Sequence, residues 1–314
     1  MGNPIYPSTW IRTLVWRDWR VSYLAAPSLA ERPAGAVLLI HGFGACKEHW
    51  RHNVDPLRRQ HSVFALDLLG FGASDKPRST LPQEPLTPGS VRYGMDLWAD
   101  QVVDFIVSQG LEAVHLVGNS IGGVVALAAV ERLEQAGRPA RGVMVLNCAQ
   151  RALDDKRLRD QPQALRTLRP LLKAVVRQRW LTRRLFQSFA TAGMIRSVLK
   201  QAYPSGQNID DQLVGLLLAP AQQPGASEAF RGFINLFNDI LAPDLLARLS
   251  TPVTLIAGVD DPWEPIQEAR TWQRFACVKA FLELEGCGHC PHDEAPDATN
   301  PLLLAALSGN PQRT

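Results

Sequence analysis

The chain has 314 residues, 46% of them hydrophobic and 20% charged, with a formal net charge of +3. This is an ordinary globular balance, enough for one large domain or a domain carrying an insertion. No apolar run approaches the roughly 18 residues of a membrane span, and so small a net charge points to no class of partner.

The first residues, Met1-Gly2-Asn3-Pro4-Ile5-Tyr6, lack the basic-then-apolar pattern of a leader, and Tyr6 stands where myristoylation needs Ser or Thr. The expectation is a cytoplasmic protein, or one held loosely on a membrane. Five cysteines (Cys46, Cys148, Cys277, Cys287 and Cys290) are odd in number and irregular in spacing. In a chain this long they argue for a reducing compartment rather than a disulfide framework.

Along the chain, short apolar runs bounded by Gly, Pro or Asp predict strands, first at Ala36–Ile40 and Val63–Leu66. Asp96–Gln109 then places Leu97, Val102, Phe105 and Ile106 on one helical face, ended by Gly110. A strand at Val114–Val117 leads into an apolar, Ala-rich helix at Ile121–Glu134, and a strand at Val143–Leu146 follows. Further strands are expected at Val253–Ala257 and Ala280–Leu284. The runs are mostly continuous rather than alternating, as in strands buried on both faces of a parallel sheet. Strand–helix alternation predicts an α/β fold with a mostly parallel central sheet flanked by helices.

Residues 151–240 break that rhythm. They offer helices punctuated by Pro162, Pro170, Pro204, Pro220 and Pro224, and no strand. The expected organisation is core over 1–150, an α-helical cap insertion over 151–240, and core again over 241–314. From Arg151 to Tyr203, thirteen Lys/Arg stand against three Asp, so the segment is +10 and the remainder of the chain −7. Arg177, Arg179, Arg183 and Arg184 interleave there with Trp180, Leu181, Leu185 and Phe186. This is either a solvated basic helix face or a surface for anionic lipid headgroups. Nothing resembles a nucleic-acid module. The apolar stripes Leu213–Leu218 and Phe230–Phe237 suit either the insertion's own core or a greasy substrate.

The chemistry centres on Gly118-Asn119-Ser120-Ile121-Gly122, a G-x-S-x-G sequence between a predicted strand and a predicted helix. That setting is a nucleophile elbow, which lifts the Ser120 hydroxyl above the sheet. A hydroxyl needs a base, and His289 follows the last predicted strand. Between them, Asp260 and Asp261 follow the strand ending near Ala257. Asp261 is expected to orient the imidazole, because it lies three residues after Gly258 and four before Pro265. Asp260 is the alternative. Two backbone N–H groups, of Phe43 and Ile121, are the expected oxyanion donors. His41 is read as a brace for the Phe43 loop. Cys287-Gly288-His289-Cys290 spells C-x-x-C, but in the His loop rather than at the helix N-terminus that redox chemistry needs. A zinc site there lacks a second ligand pair at a suitable spacing.

Together these residues resemble the α/β-hydrolase superfamily over nearly the whole chain, and within it the pheophytinase and chlorophyll dephytylase group of plants and cyanobacteria. The likeness is carried by Asp67–Pro77 (DLLGFGASDKP), Tyr93–Gln101 (YGMDLWADQ), Leu116–Gly123 (LVGNSIGG) and Gly288–Glu294 (GHCPHDE). The insertion matches this group least. The resemblance implies hydrolysis of a phytyl ester on a tetrapyrrole through an acyl-enzyme at Ser120, with no cofactor or metal. It also implies a location on or near the thylakoid membrane. Ser at position 120 excludes the branches that use an Asp nucleophile. Three readings remain beside it: an esterase or lipase on other lipophilic esters, a C–C bond hydrolase with the same triad and a carboxylate-binding Arg, and a non-catalytic member of the fold.

Overall fold

The computed structural model describes residues 5–309. Met1 to Pro4, where the leader reading begins, lie outside the described residues. Eight strands form one sheet: β1 (Ile11–Trp16), β2 (Trp19–Ala26), β3 (Ala36–Ile40), β4 (Ser62–Leu66), β5 (Val114–Asn119), β6 (Gly142–Leu146), β7 (Val253–Gly258) and β8 (Val278–Leu284). Their order is β1-β2-β4-β3-β5-β6-β7-β8, and only β2 pairs antiparallel with its neighbours. Strands β3, β5, β6 and β7 are buried throughout, as continuous apolar runs require when both faces are covered.

Alternation within each strand divides the core. Ala36, Leu38 and Ile40 of β3 face one apolar cluster, while Val37 and Leu39 face another. The first cluster is closed by α1 (Met95–Ser108) and α2 (Ile121–Gln135), the second by Trp50, Leu57 and α3 (Pro296–Leu307). On α1, Trp98, Val102, Phe105 and Ile106 supply the buried stripe, and Gly110 at φ +60° ends the run.

The hairpin β1–β2 is an element the apolar runs did not reveal. Most of β1 is exposed at the sheet edge, so it lacks a continuous apolar run. Its turn is encoded by Arg17 and Asp18, both at positive φ between the paired Trp16 and Trp19.

Between β6 and β7 the chain forms no strand among the described residues. It runs through helices Gln163–Arg177, Arg179–Phe189, Ala192–Ala202, Asp211–Ala221 and Ala226–Ile234. Pro170 and Pro220 lie inside two of these rather than between them. Each removes one helical hydrogen bond; around Pro170, Arg169 and Lys173 both reach Asp155 and pin the helix on either side. Ala242–Leu246 then rejoins the first apolar cluster. No helix among the described residues is long and apolar enough to cross a membrane.

Candidate active site

The carboxyl ends of β3, β5, β7 and β8 converge, as their parallel pairing demands, and the loops leaving them carry the candidate residues. Ser120 sits between β5 and α2 with φ 56° and ψ −124°. A non-glycine residue held there costs on the order of 1–3 kcal/mol. Neighbouring strands hold it: its N–H donates to Leu146 O at 3.0 Å, and its carbonyl accepts from Gly123 and Ala149 at 3.0 and 3.1 Å. Both motif glycines are explained by space. A Cβ on Gly118 would overlap the Gly122 backbone, and one on Gly122 would overlap the carbonyls of Ile40 and His41.

His289 Nδ1 lies 2.8 Å from Asp261 Oδ2. Asp261 Oδ2 also accepts from Asn147 Nδ2 at 2.7 Å, and its Oδ1 accepts from the N–H groups of Trp263 and Glu264 at 2.9 and 3.2 Å. Burial alone raises the Asp261 carboxyl, but donation from His289, Trp263 and Asn147 outweighs it and holds the group below the ordinary carboxylate value. The adjacent Asp260 is exposed, and its part is a backbone bond, N–H to Cys287 O at 3.0 Å. Ser120 Oγ and His289 Nε2 are not hydrogen-bonded to each other among the described residues. Such contacts are often long before substrate binds.

The β3 loop passes directly over the elbow: a Cβ built on Gly42 would lie 3.2 Å from Ser120 Cβ. The N–H groups of Phe43 and Ile121 donate to no backbone carbonyl among the described residues, which leaves them free for an incoming oxyanion. His41 is fully buried, with Nε2 accepting from Leu68 N–H at 3.1 Å and Nδ1 2.7 Å from Gly42 O. Both its nitrogens are engaged in holding this loop. The C-x-x-C cysteines point to different partners, Cys287 Sγ to Glu294 and Cys290 Sγ to Asn119. Burial raises both thiols, which keeps them protonated.

Three residues that sequence reasoning did not single out tie the site together. Asn119 Nδ2 donates to Leu146 O and to His289 O, at 3.1 and 2.9 Å. Asn147 binds Asp261 through Nδ2 and accepts from Gly258 N–H through Oδ1 at 2.9 Å. Glu294 Oε2 accepts from Gly288 N–H at 2.6 Å, and its Oε1 from Ser205 Oγ at 2.6 Å. Glu294 stands in the quoted GHCPHDE segment, which marked the place without disclosing its use.

Beside the Phe43 loop is a cavity of about 60 Å³ lined by Phe43, Phe71, Lys76, Phe186 and Phe230, among others. Phe43 also stacks on Phe233, with ring centroids 4.0 Å apart. The one cation lining it among the described residues, Lys76, is spent: its Nζ donates to Gly72 O, Ser74 O and Gln223 Oε1. A larger cavity of about 550 Å³ lies near His115, Gly142 and Pro252, at the amino ends of the strands, and touches none of these residues.

A family model described as the alpha/beta hydrolase family matches residues 37–302. The chain belongs to the alpha/beta hydrolase family. Membership agrees with the sheet order and elbow above. Among relatives of this chain, the chloroplastic pheophytinase of Arabidopsis thaliana is 27% identical over 86% of this chain. The chain spans only 60% of that relative's length. A 2-hydroxy-6-oxo-6-(2'-aminophenyl)hexa-2,4-dienoic acid hydrolase of Metapseudomonas resinovorans is 24% identical, covering 87% of this chain and 83% of its own. A (lyso)-N-acylphosphatidylethanolamine lipase of Bos taurus is 25% identical, covering 91% and 81%. Among solved structures, an epoxide hydrolase superposes with a TM-score of 0.73 at 19% identity, over 95% of this chain and 98% of that one. At that identity the likeness shows the fold alone.

Proposed function

We propose that this chain is a serine-dependent carboxylic ester hydrolase acting on a long-chain lipophilic ester, with the phytyl ester of chlorophyll or pheophytin as its substrate. The observation that carries the reading is the His289–Asp261 pair beside a Ser held at positive φ. In this mechanism Ser120 Oγ attacks the ester carbonyl while His289 Nε2 takes its proton. Asp261 keeps the other imidazole proton on Nδ1 and stabilises the imidazolium that forms. The N–H groups of Phe43 and Ile121 receive the oxyanion. His289 then protonates the departing alcohol, and water releases the acid from the acyl-enzyme.

Phenylalanines on both sides of the cavity beside Phe43 support a greasy substrate. We treat the helices between β6 and β7 as a cap, because Phe186, Phe230 and Phe233 come from them. The pheophytinase likeness supports a phytyl ester in particular. C–C bond cleavage is less well supported. It needs a free cation for the substrate carboxylate, and Lys76 has its protons committed to protein acceptors.

The test is chromatography of chlorophyll a and pheophytin a after incubation with the protein in mild detergent. Phytol should appear with the wild type and fall by more than about a thousandfold with Ser120→Ala, which should still fold. Full activity of Ser120→Ala would sink the triad. Hydrolysis of p-nitrophenyl esters without phytol release would keep the mechanism and remove the pigment.

A further inference from the structure

The insertion turns apolar side chains outward. On Gln163–Arg177, Leu168, Leu171, Leu172 and Val175 follow i, i+3, i+4, i+7 spacing, and all are exposed, Leu171 by 63%. That spacing ordinarily marks a buried face. Here the opposite face is turned in: Arg169 is buried with its guanidinium on Asp155, and Lys173 reaches the same carboxylate. The next helix exposes Trp180 by 62%, with Leu185 and Phe189, and the one after exposes Met194 and Val198. Of the sixteen large hydrophobic residues exposed among the described residues, ten lie between Leu153 and Val198. Scattered singly such residues mean little, but gathered on consecutive helices they mark a contact surface.

Charge decides what covers it. The segment's three acids are all occupied internally: Asp154 by Arg151, Asp155 by Arg169 and Lys173, and Asp160 by Arg157. Arg166, Arg177, Arg183, Arg184 and Lys200 are exposed, and no acidic partner meets them among the described residues. What remains at the surface is apolar and cationic, with an exposed Trp next to two Arg. A second copy of this chain would oppose arginines to arginines across a twofold axis. An anionic bilayer matches both features, because the acyl boundary takes Trp and Leu while the headgroups take Arg.

We propose that residues 153–200 form a docking face for anionic lipid membranes. The geometry gives this face a use. Arg179–Phe189 carries Trp180, Arg183 and Arg184 in exposed positions, while Phe186 of the same helix lines the cavity beside Phe43. Docking sets one side of this helix on the lipid and leaves the other on the site. It does not depend on which ester is cleaved.

The test is co-sedimentation of the Ser120→Ala chain with phosphatidylcholine vesicles, with and without phosphatidylglycerol, over a salt series. Binding should require phosphatidylglycerol and weaken as salt rises. Arg183→Ala combined with Arg184→Ala should weaken it by about thirtyfold. Leu171→Ser combined with Leu172→Ser should also weaken it, by tenfold or more at the scale of buried methylenes. Built on the active chain, both variants should melt as the parent does and hydrolyse a soluble short-chain ester at its rate, which separates lost docking from lost folding. Absence of binding, equal binding to neutral vesicles, or insensitivity to both variants would overturn the proposal. So would a concentration-dependent dimer abolished by the leucine variant in a chain that ignores vesicles.

Discussion

Replacing Asp261 by Asn is the sharpest test of how the site is assembled. Both carboxylate oxygens are acceptors, Oδ2 from His289 and Asn147 and Oδ1 from the Trp263 and Glu264 amides. An Asn side chain can replace only one of them as an oxygen. With its NH₂ at the Oδ2 position, it meets two N–H donors. His289 then escapes the clash by moving its proton to Nε2, which removes the base that Ser120 needs. With its NH₂ at the Oδ1 position, two backbone N–H groups lose their acceptor, at about 1–3 kcal/mol each. The wrong-tautomer outcome predicts a drop in kcat of about 10³–10⁴-fold, or ~4–5.5 kcal/mol of barrier. Initial rates on p-nitrophenyl butyrate measure it. Asp260→Asn is the control: that residue is exposed, so kcat should be unchanged and stability should move by no more than about 0.5 kcal/mol. Activity of Asp261→Asn within about tenfold of wild type, or an equal loss from Asp260→Asn, would refute the assignment.

Gly122→Ala should fail to give a stable protein, since its Cβ would meet two backbone carbonyls that cannot yield. Soluble expression with wild-type melting would show that the elbow is looser than drawn. Glu264 predicts a pH effect on stability. Burial pushes its carboxyl up to about 8, with the Asp261 charge adding to the rise and the hydrogen bond from Gln150 N–H opposing it. A carboxyl raised in the folded state contributes stability that is complete below the unfolded value near ~4.3, and that contribution is lost as pH climbs through the folded value. Unfolding free energies from urea titrations should therefore fall between about pH 5 and pH 8, by up to a few kcal/mol, and Glu264→Gln should flatten that fall. An equally steep fall in the variant would place the titrating group elsewhere.

The central parallel strands β3, β5, β6 and β7 were readable because each is buried on both faces, so composition alone marks them. The hairpin was not, because β1 lies at the edge with most side chains in solvent, and its only local signal is the Arg17-Asp18 turn. The elbow was legible for a different reason. Its glycines answer to atoms within the motif and the adjacent β3 end, so a short pattern encodes the demand. Asn119 and Asn147 were silent because their partners are set by folding: Asn119 joins carbonyls 27 and 170 positions away, and Asn147 reaches a carboxylate 114 positions away. The inverted helix Gln163–Arg177 shows the opposite failure. Pro170 reads as a break between helices, yet it lies inside this one, and the buried Arg169–Asp155 pair turns the helix's apolar stripe outward.

The proposed base is not held by the core alone. Asp261 fixes the imidazole from the β7 loop, but the His289 backbone N–H donates to Ala202 O at 2.8 Å, on the insertion side. Gly288 has no room for a side chain because Ala202 O and Pro204 fill the space, and Ser205 grips Glu294, which in turn grips Gly288 N–H. Tyr203 is fully buried between His49 and Asp293, and Asp293 also takes the Arg51 guanidinium, whose other face binds Asp210. The link from insertion to His loop is thus a continuous set of polar contacts, most of them buried or part-buried, and breaking a buried one leaves an unpaired group. An insertion that merely covered the site could be exchanged without touching the chemistry. This one supplies part of the frame of the proposed base, so the segment proposed to face the substrate also carries the contacts that hold the His289 loop.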